Sequence, residues 1–216
     1  MKKPLPIGVD NFEKVVEEGY YYVDKTMLIK DLMDLKGEVN LFTRPRRFGK
    51  TLNLSMLRYF FEDTGNAEQN RKNRELFQDL KIANAGEEYT ENMGRYPVIN
   101  LTLKSAKQSN FGSSYSKMKN ELAEEFQRHK YVLESDRVDD SDKNMFRKLA
   151  SGKAEYGEYS GALKFLSKCL YQAFGKKTII LIDEYDVPLE NAYFRGFYDE
   201  MMDFIRSLFE SALKTN

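Results

Sequence analysis

The sequence contains one cysteine and one histidine among 216 residues, and no tryptophan. The single cysteine, Cys169, excludes an internal disulfide. The single histidine, His129, excludes a metal site built from several histidines and argues against a zinc centre. Cys169 lies at helical spacing from Leu166, Leu170 and Phe174, so we expect its thiol to be a buried packing group. His129 lies in a charged stretch, and we expect it to be solvated.

An excess of charge and a long apolar run are also missing. Lys plus Arg and Asp plus Glu both number 34, so the chain as a whole is not attracted to nucleic acid or membrane surfaces. No segment approaches the length of a membrane span, and the N-terminus lacks an apolar signal segment. With 41% hydrophobic residues, the composition predicts one soluble, cytoplasmic domain with a sizeable core and no membrane partner.

The segment that organises the chain runs from Val39 to Met56 and reads VNLFTRPRRFGKTLNLSM. A short apolar run, a loop rich in Pro and Arg, Gly49-Lys50-Thr51, and apolar residues at helical spacing follow one another. This order predicts strand, loop and helix, which is the layout of a phosphate-binding loop. In such a loop the first backbone amides of the helix and its dipole face the anion.

The loop departs from the usual motif at Arg44, which stands where a glycine is expected. Arginine resists the positive φ that glycine adopts freely, and Pro45 has no N–H to donate. The half nearest the phosphates, from Phe48 to Thr51, keeps all its backbone donors. The alternative interpretation is a basic surface turn that begins an ordinary helix.

A second half-motif follows the apolar, β-branched run from Thr178 to Ile182, which predicts a parallel strand buried on both faces. The run ends in Asp183-Glu184, at the strand end where ligands of open α/β folds bind. One carboxylate can hold Mg²⁺ through its water shell and the next can orient or deprotonate water. The alternative is a core strand that ends in a solvated acidic turn.

Four stretches together resemble the predicted AAA-ATPase-like proteins of bacteria, namely YYYVDKTMLIKDLMD, LFTRPRRFGKTLNLSMLRYFFE, RYPVINLTLK and LKFLSKCLYQAFGKKTIILIDEYDVPLENAY. In that family the loop reads RPRRFGKT or RPRRFGKS, so Arg44 is not peculiar to this chain. The resemblance spans nearly the whole chain. It implies an α/β fold of the P-loop NTPase type, with three αβα layers and a mainly parallel sheet, and it implies ATP and Mg²⁺ as ligands.

The resemblance also implies roles for single residues. Lys50 would contact the phosphates and assist catalysis, Thr51 and Asp183 would bind Mg²⁺, and Glu184 would be the catalytic base. The implied nucleotide-binding segment comprises Arg47, Phe48, Gly49, Lys50, Thr51 and Leu52.

Members of that family usually continue into a domain similar to the PD-(D/E)XK nucleases. We therefore expect residues 1–216 to be the N-terminal portion of an AAA-ATPase-like domain, with a sheet that is incomplete at the C-terminus. In related ATPases a strand with a polar sensor residue lies between the loop strand and the acidic strand, and this sequence lacks it. The resemblance further suggests a homo-oligomer, and nucleic acid as a partner of the nuclease-like domain.

Periodicity predicts the remaining elements. We expect helices at 11–18, 27–35, 52–61, 74–80, 113–133, 143–150, 162–174 and 199–213, and strands at 20–26 and 98–103. Polar composition predicts loops at 62–72, 84–95 and 134–142, and an aromatic loop or hinge at 193–198.

Three functions remain open. The first is an ATP-hydrolysing domain that acts as a motor or switch for an effector domain. The second is a regulatory scaffold that binds nucleotide without turnover. The third is a nucleic-acid-binding protein that uses Arg44, Arg46, Arg47 and Lys50 as a phosphate-backbone patch.

Overall fold

Residues 3–43 and 48–213 are described by a computed structural model, in which contacts divide the chain into two units, Met1–Val98 and Ile99–Asn216. The described helices of the first unit are α1 (Phe12–Glu17), α2 (Met27–Leu35), α3 (Lys50–Phe61), α4 (Ala67–Glu75) and α5 (Glu87–Thr90), with a 3₁₀ turn at Lys81–Asn84.

In the second unit helices surround a pair of strands. Strand β1 (Val98–Thr102) begins at the boundary between the units, and β2 (Ile179–Asp183) pairs with it in parallel. The helices are α6 (Phe111–Arg128), α7 (Asp140–Ala150), α8 (Tyr156–Ser160), α9 (Ala162–Phe174), α10 (Val187–Arg195) and α11 (Tyr198–Leu213), with 3₁₀ turns at Lys104–Ala106 and Lys130–Glu134.

An aromatic core holds α1 against α3 in the first unit. The Phe12 ring stacks on Phe77 with centroids 5.0 Å apart, and Phe77 meets Phe60 edge-on at 5.3 Å. All three side chains are fully buried. The Phe12 amide donates to Ser55 Oγ at 2.9 Å, so α1 begins directly on the surface of α3. The predicted helices at 11–18, 27–35 and 52–61 are confirmed within two residues.

Two predicted strands of the first unit are wrong. The segments 20–26 and 39–42 are not strands in the structure. Val39 and Leu41 are 63% and 67% exposed, and Phe42 is 37% exposed. A strand requires a neighbouring backbone to satisfy its N–H and C=O groups, which apolar composition by itself does not supply. Among the described residues the sheet therefore has two strands, and the α/β class is confirmed without the larger sheet that we expected.

Four of the described helices, α4, α5, α8 and α10, were missed because they lack a clear apolar stripe. Helix α4 lies largely within the predicted loop at 62–72, α5 within the loop at 84–95, and α10 overlaps the predicted loop or hinge at 193–198. In α4 the Asn66 side chain caps the helix by accepting from the Glu68 and Gln69 amides. Ion pairs along its surface, such as Arg71 with Glu75, add support.

The strands β1 and β2 and the helices α9 and α11 agree with prediction in type and closely in position. The expectation that β2 is buried on both faces is wrong, because Leu181 alone of its residues is buried. Helix α6 ends at Arg128 instead of continuing to 133. Cys169 is fully buried as expected, and burial raises the pKa of its thiol to about 12.

The prediction for His129 is also wrong, because its side chain is fully buried. It lies 3.2 Å from Glu125 Oε1 through Nε2 and 2.5 Å from the Tyr131 hydroxyl through Nδ1. Glu125 in turn accepts from Arg128 and from the backbone amide of Asn100 in β1, at 2.5 and 2.7 Å. The charged residues around His129 in sequence are thus its partners in a buried network.

Electrostatics within this network favour the charged form of Glu125. Burial by itself would raise the pKa of this carboxyl. Hydrogen bonds from His129 and Arg128 and the charge of Arg128 outweigh that effect and lower the pKa to about 2. Because the folded state lowers the pKa, the stabilisation is complete above the ordinary value of 4.5 and is lost as the pH falls through about 2.

We expect Glu125→Gln to lower the free energy of unfolding at pH 7 by about 3 kcal/mol, since one pKa unit corresponds to about 1.4 kcal/mol. Urea unfolding from pH 7 to pH 2.5 measures this, and the deficit of the variant should shrink toward the acid end. The exposed neighbour Glu124→Gln is the matched control. A deficit that does not depend on pH would contradict the lowered pKa.

Candidate functional site

The phosphate loop enters α3 through a glycine in the left-handed region. Gly49 has φ 76° and ψ 26° and precedes Lys50, the first residue of the helix. The first helical hydrogen bond runs from the Asn53 amide to the Gly49 carbonyl at 2.9 Å, so the amides of the preceding turn have no acceptor within the helix. The predicted binding residues Phe48, Gly49, Lys50, Thr51 and Leu52 form this turn.

The start of α3 is suited to an anion. Gly49 has no side chain that could cap the helix, and the first turn contains no acidic residue. A Cβ added at Gly49 would lie 3.8 Å from the Lys25 ammonium. Phe48 and Thr51 are exposed, and Lys50 is half-buried. The predictions for Arg44, Arg46 and Arg47 concern residues outside the described ranges.

The acidic pair lies at the carboxyl end of β2. Asp183 is the last residue of the strand, and its carbonyl accepts from the Leu103 amide at 3.0 Å. Its Oδ1 accepts from the Glu184 amide at 3.0 Å. Both side chains are half-buried, so each carboxylate keeps contact with solvent.

Glu184 adopts a backbone conformation that its side chain disfavours. Its φ is 54°, in the left-handed region where a Cβ approaches the following carbonyl oxygen. The Val187 amide donates to the Glu184 carbonyl at 3.1 Å, which fixes the turn between β2 and α10. The periodicity of the sequence contains no signal for this conformation.

An open groove of about 470 Å³ follows the acidic pair and is lined by Tyr185, Asp186, Leu189, Glu190, Tyr193, Phe194 and Tyr198. Its aromatic rings contact one another, with centroids 5.6 Å apart for Tyr193 and Phe194 and 6.1 Å apart for Tyr193 and Tyr198. Tyr193 and Phe194 are 70% and 76% exposed. The residues next to Glu184 in sequence therefore present an aromatic surface with carboxylates along it.

The described parts of the chain place the two half-motifs in different units. Gly49, Lys50 and Thr51 belong to the first unit, and Asp183 and Glu184 to the second. Within 3–43 and 48–213 no group of three His, Cys, Asp or Glu side chains is arranged to hold a metal ion. None of the helices described there has the length and apolar character needed to cross a bilayer.

A sequence model of a family described as predicted AAA-ATPase matches residues 6–216. The chain belongs to the predicted AAA-ATPase family. This confirms the family resemblance, and it covers the loop, β1 and the acidic pair together. The nuclease-like extension, the single-domain organisation and the roles of single residues remain predictions.

This AAA-ATPase-family chain is similar to an uncharacterised protein in the vnfD 5′ region of Azotobacter chroococcum mcd 1. The two are 27% identical over 210 residues, which cover 96% of this chain and 34% of the relative. The chain thus spans about one third of that relative's length. No solved structure matches it.

The left-handed turn at Glu184 predicts an inverted order of substitutions. We expect Glu184→Gly to be more stable than Glu184→Ala by about 1 kcal/mol, or about 2–4 °C in Tm for a chain of this size. At Lys117, an exposed residue inside α6, alanine should be the more stable by about 0.5–1 kcal/mol. Thermal unfolding of the four variants measures both differences. If alanine were more stable than glycine at position 184 as well, the left-handed conformation would be contradicted.

Proposed function

We propose that this chain binds ATP with Mg²⁺ through its phosphate loop and hydrolyses it. The observation that carries the proposal is the uncapped start of α3, with Gly49 left-handed and Lys50 at the first helical position, in a chain matched throughout by the predicted AAA-ATPase family. The residues present fit a phosphate group, because α3 begins with a lysine and has neither a side-chain cap nor an acidic residue in its first turn.

The proposed binding step uses the first turn of α3. The amides from Phe48 to Leu52 hold the phosphate oxygens, and the Lys50 ammonium contacts the phosphates as their charge builds up. Arg47, which precedes Phe48 in the sequence, is a further basic residue of the proposed nucleotide-binding segment. On the family resemblance, the Thr51 hydroxyl and the Asp183 carboxylate would hold Mg²⁺, which would offset the negative charge of the phosphates.

The proposed hydrolytic step uses Glu184. Its carboxylate orients a water molecule and accepts its proton as the water attacks the γ-phosphate. The hydrogen bond from the Glu184 amide to Asp183 and the left-handed turn support this assignment, because they hold the backbone of Glu184 in place at the end of β2. Strained backbone that persists at a ligand site is a known form of preorganisation.

We further propose that ATP turnover drives an effector in the remaining part of a longer protein, as a motor or a switch. The relative from Azotobacter is about three times as long as the matched segment, which leaves room for such a part. A nuclease-like domain that contacts nucleic acid, and a homo-oligomer, are the partners we propose on the family resemblance.

Calorimetric titration of ATP–Mg²⁺ tests the nucleotide site. We expect the wild-type chain to bind and Lys50→Ala to bind at least about 30-fold more weakly, since it loses a charge-assisted contact worth about 2 kcal/mol. Lys14→Ala, an exposed lysine of α1, is the matched control. Equal affinity in wild type and Lys50→Ala would remove the loop from the site.

Phosphate release by Glu184→Gln tests the catalytic base. We expect affinity for ATP–Mg²⁺ to be retained and turnover to fall by about 100-fold or more, the usual contribution of a positioned base. Unchanged release would contradict the assignment. Binding by the wild-type chain with no release at all would favour the regulatory scaffold that does not hydrolyse ATP.

A further inference from the structure

The turn that precedes α2 is held rigidly by the residues on either side of Lys25. The Asp24 carboxylate accepts from the Thr26 amide at 2.8 Å and from the Thr26 hydroxyl at 2.6 Å. It also accepts from the Lys81 amide at 2.8 Å. Thr26 is fully buried, and its hydroxyl oxygen accepts from the Ile82 amide at 3.2 Å. Both flanking side chains are therefore engaged in packing and backbone contacts.

Lys25, which lies between Asp24 and Thr26, has different surroundings from these two residues. Its side chain is exposed, and its ammonium is the atom that a Cβ on Gly49 would approach, at 3.8 Å. Lys25 thus reaches the backbone at the start of α3 from a segment 24 positions earlier in the chain. The structure gives it no carboxylate partner within the described residues of 3–43 and 48–213.

Three sources of positive charge lie at the start of α3. They are the Lys25 ammonium, the residue Lys50 and the N-terminal end of the α3 dipole. Like charges repel one another, and a bound polyanion adds an attraction to each of them. Because the contacts of Asp24 and Thr26 hold the turn, little backbone ordering is needed when the anion binds.

We propose that Lys25 is a second lysine of the phosphate site, which contacts the phosphates of ATP from the turn before α2. This inference rests on the proposed function and adds to it a residue outside the loop. The chemistry recognised is a nucleotide polyphosphate. The loop sequence does not include this contact, because Lys25 belongs to another segment of the chain. Asp24 and Thr26 act as positioning residues that aim it.

The test is calorimetric titration of ATP–Mg²⁺ and of adenosine into wild type, Lys25→Gln and Lys14→Gln. We expect Lys25→Gln to weaken ATP binding about tenfold, as for one charge-assisted hydrogen bond, and to leave affinity for adenosine unchanged. The dependence of the ATP affinity on salt concentration should also become less steep. Lys14→Gln should match the wild type, and Lys25→Arg should recover most of the ATP affinity.

The possible results distinguish the role of Lys25 from the proposed binding of ATP by the phosphate loop. If the wild type binds ATP, Lys50→Ala loses binding and Lys25→Gln binds like the wild type, the role of Lys25 is overturned and the loop site stands. If the wild type binds no ATP, both are overturned. Thermal unfolding of Lys25→Gln should match the wild type, since Lys25 is exposed, and a lowered Tm would assign its effect to structure.

Discussion

The second unit depends on the buried carboxylate of Glu125. Residues of β1 alternate in direction, and the Leu103 amide bonds to β2, so the Asn100 amide faces the other side of the strand. Glu125 accepts from this amide at 2.7 Å, in the place where the carbonyl of a further strand would lie. A side chain of α6 thereby satisfies a backbone amide on this side of β1, and His129 and Arg128 contact the same carboxylate. The strand that pairs with the Asp183 strand is thus tied to α6.

Sequence periodicity predicts the elements whose burial is local in origin. Helices α3, α9 and α11 each carry an apolar stripe, and β1 carries β-branched alternation, so all four are found in the structure near their expected positions. Helix α4 was missed although its cap and ion pairs are local, because these carry no apolar stripe. Two other failures depend on distant partners. Segment 39–42 is apolar but has no strand beside it among the described residues. His129 is polar in its local context, and Glu125, the carboxylate that it contacts, also accepts from the distant Asn100 amide of β1.

The candidate site divides in the same way. The loop and the acidic pair could be proposed from the sequence because each is a contiguous motif. Gly49 adopts the positive φ that the loop motif requires. Lys25 could not be assigned from spacing, since its relation to Gly49 depends on how the turn before α2 is anchored to residues 81 and 82. The left-handed backbone of Glu184 likewise follows from the turn between β2 and α10, and the residue type at that position disfavours it.

That left-handed backbone restricts how this position can drift over evolution. A related sequence that has no carboxylate at position 184 still has to form the turn at φ 54°. Glycine and asparagine enter the left-handed region at low cost, whereas valine, isoleucine and threonine do not. Members of the family without glutamate at this position should therefore carry glycine or asparagine there more often than a β-branched residue.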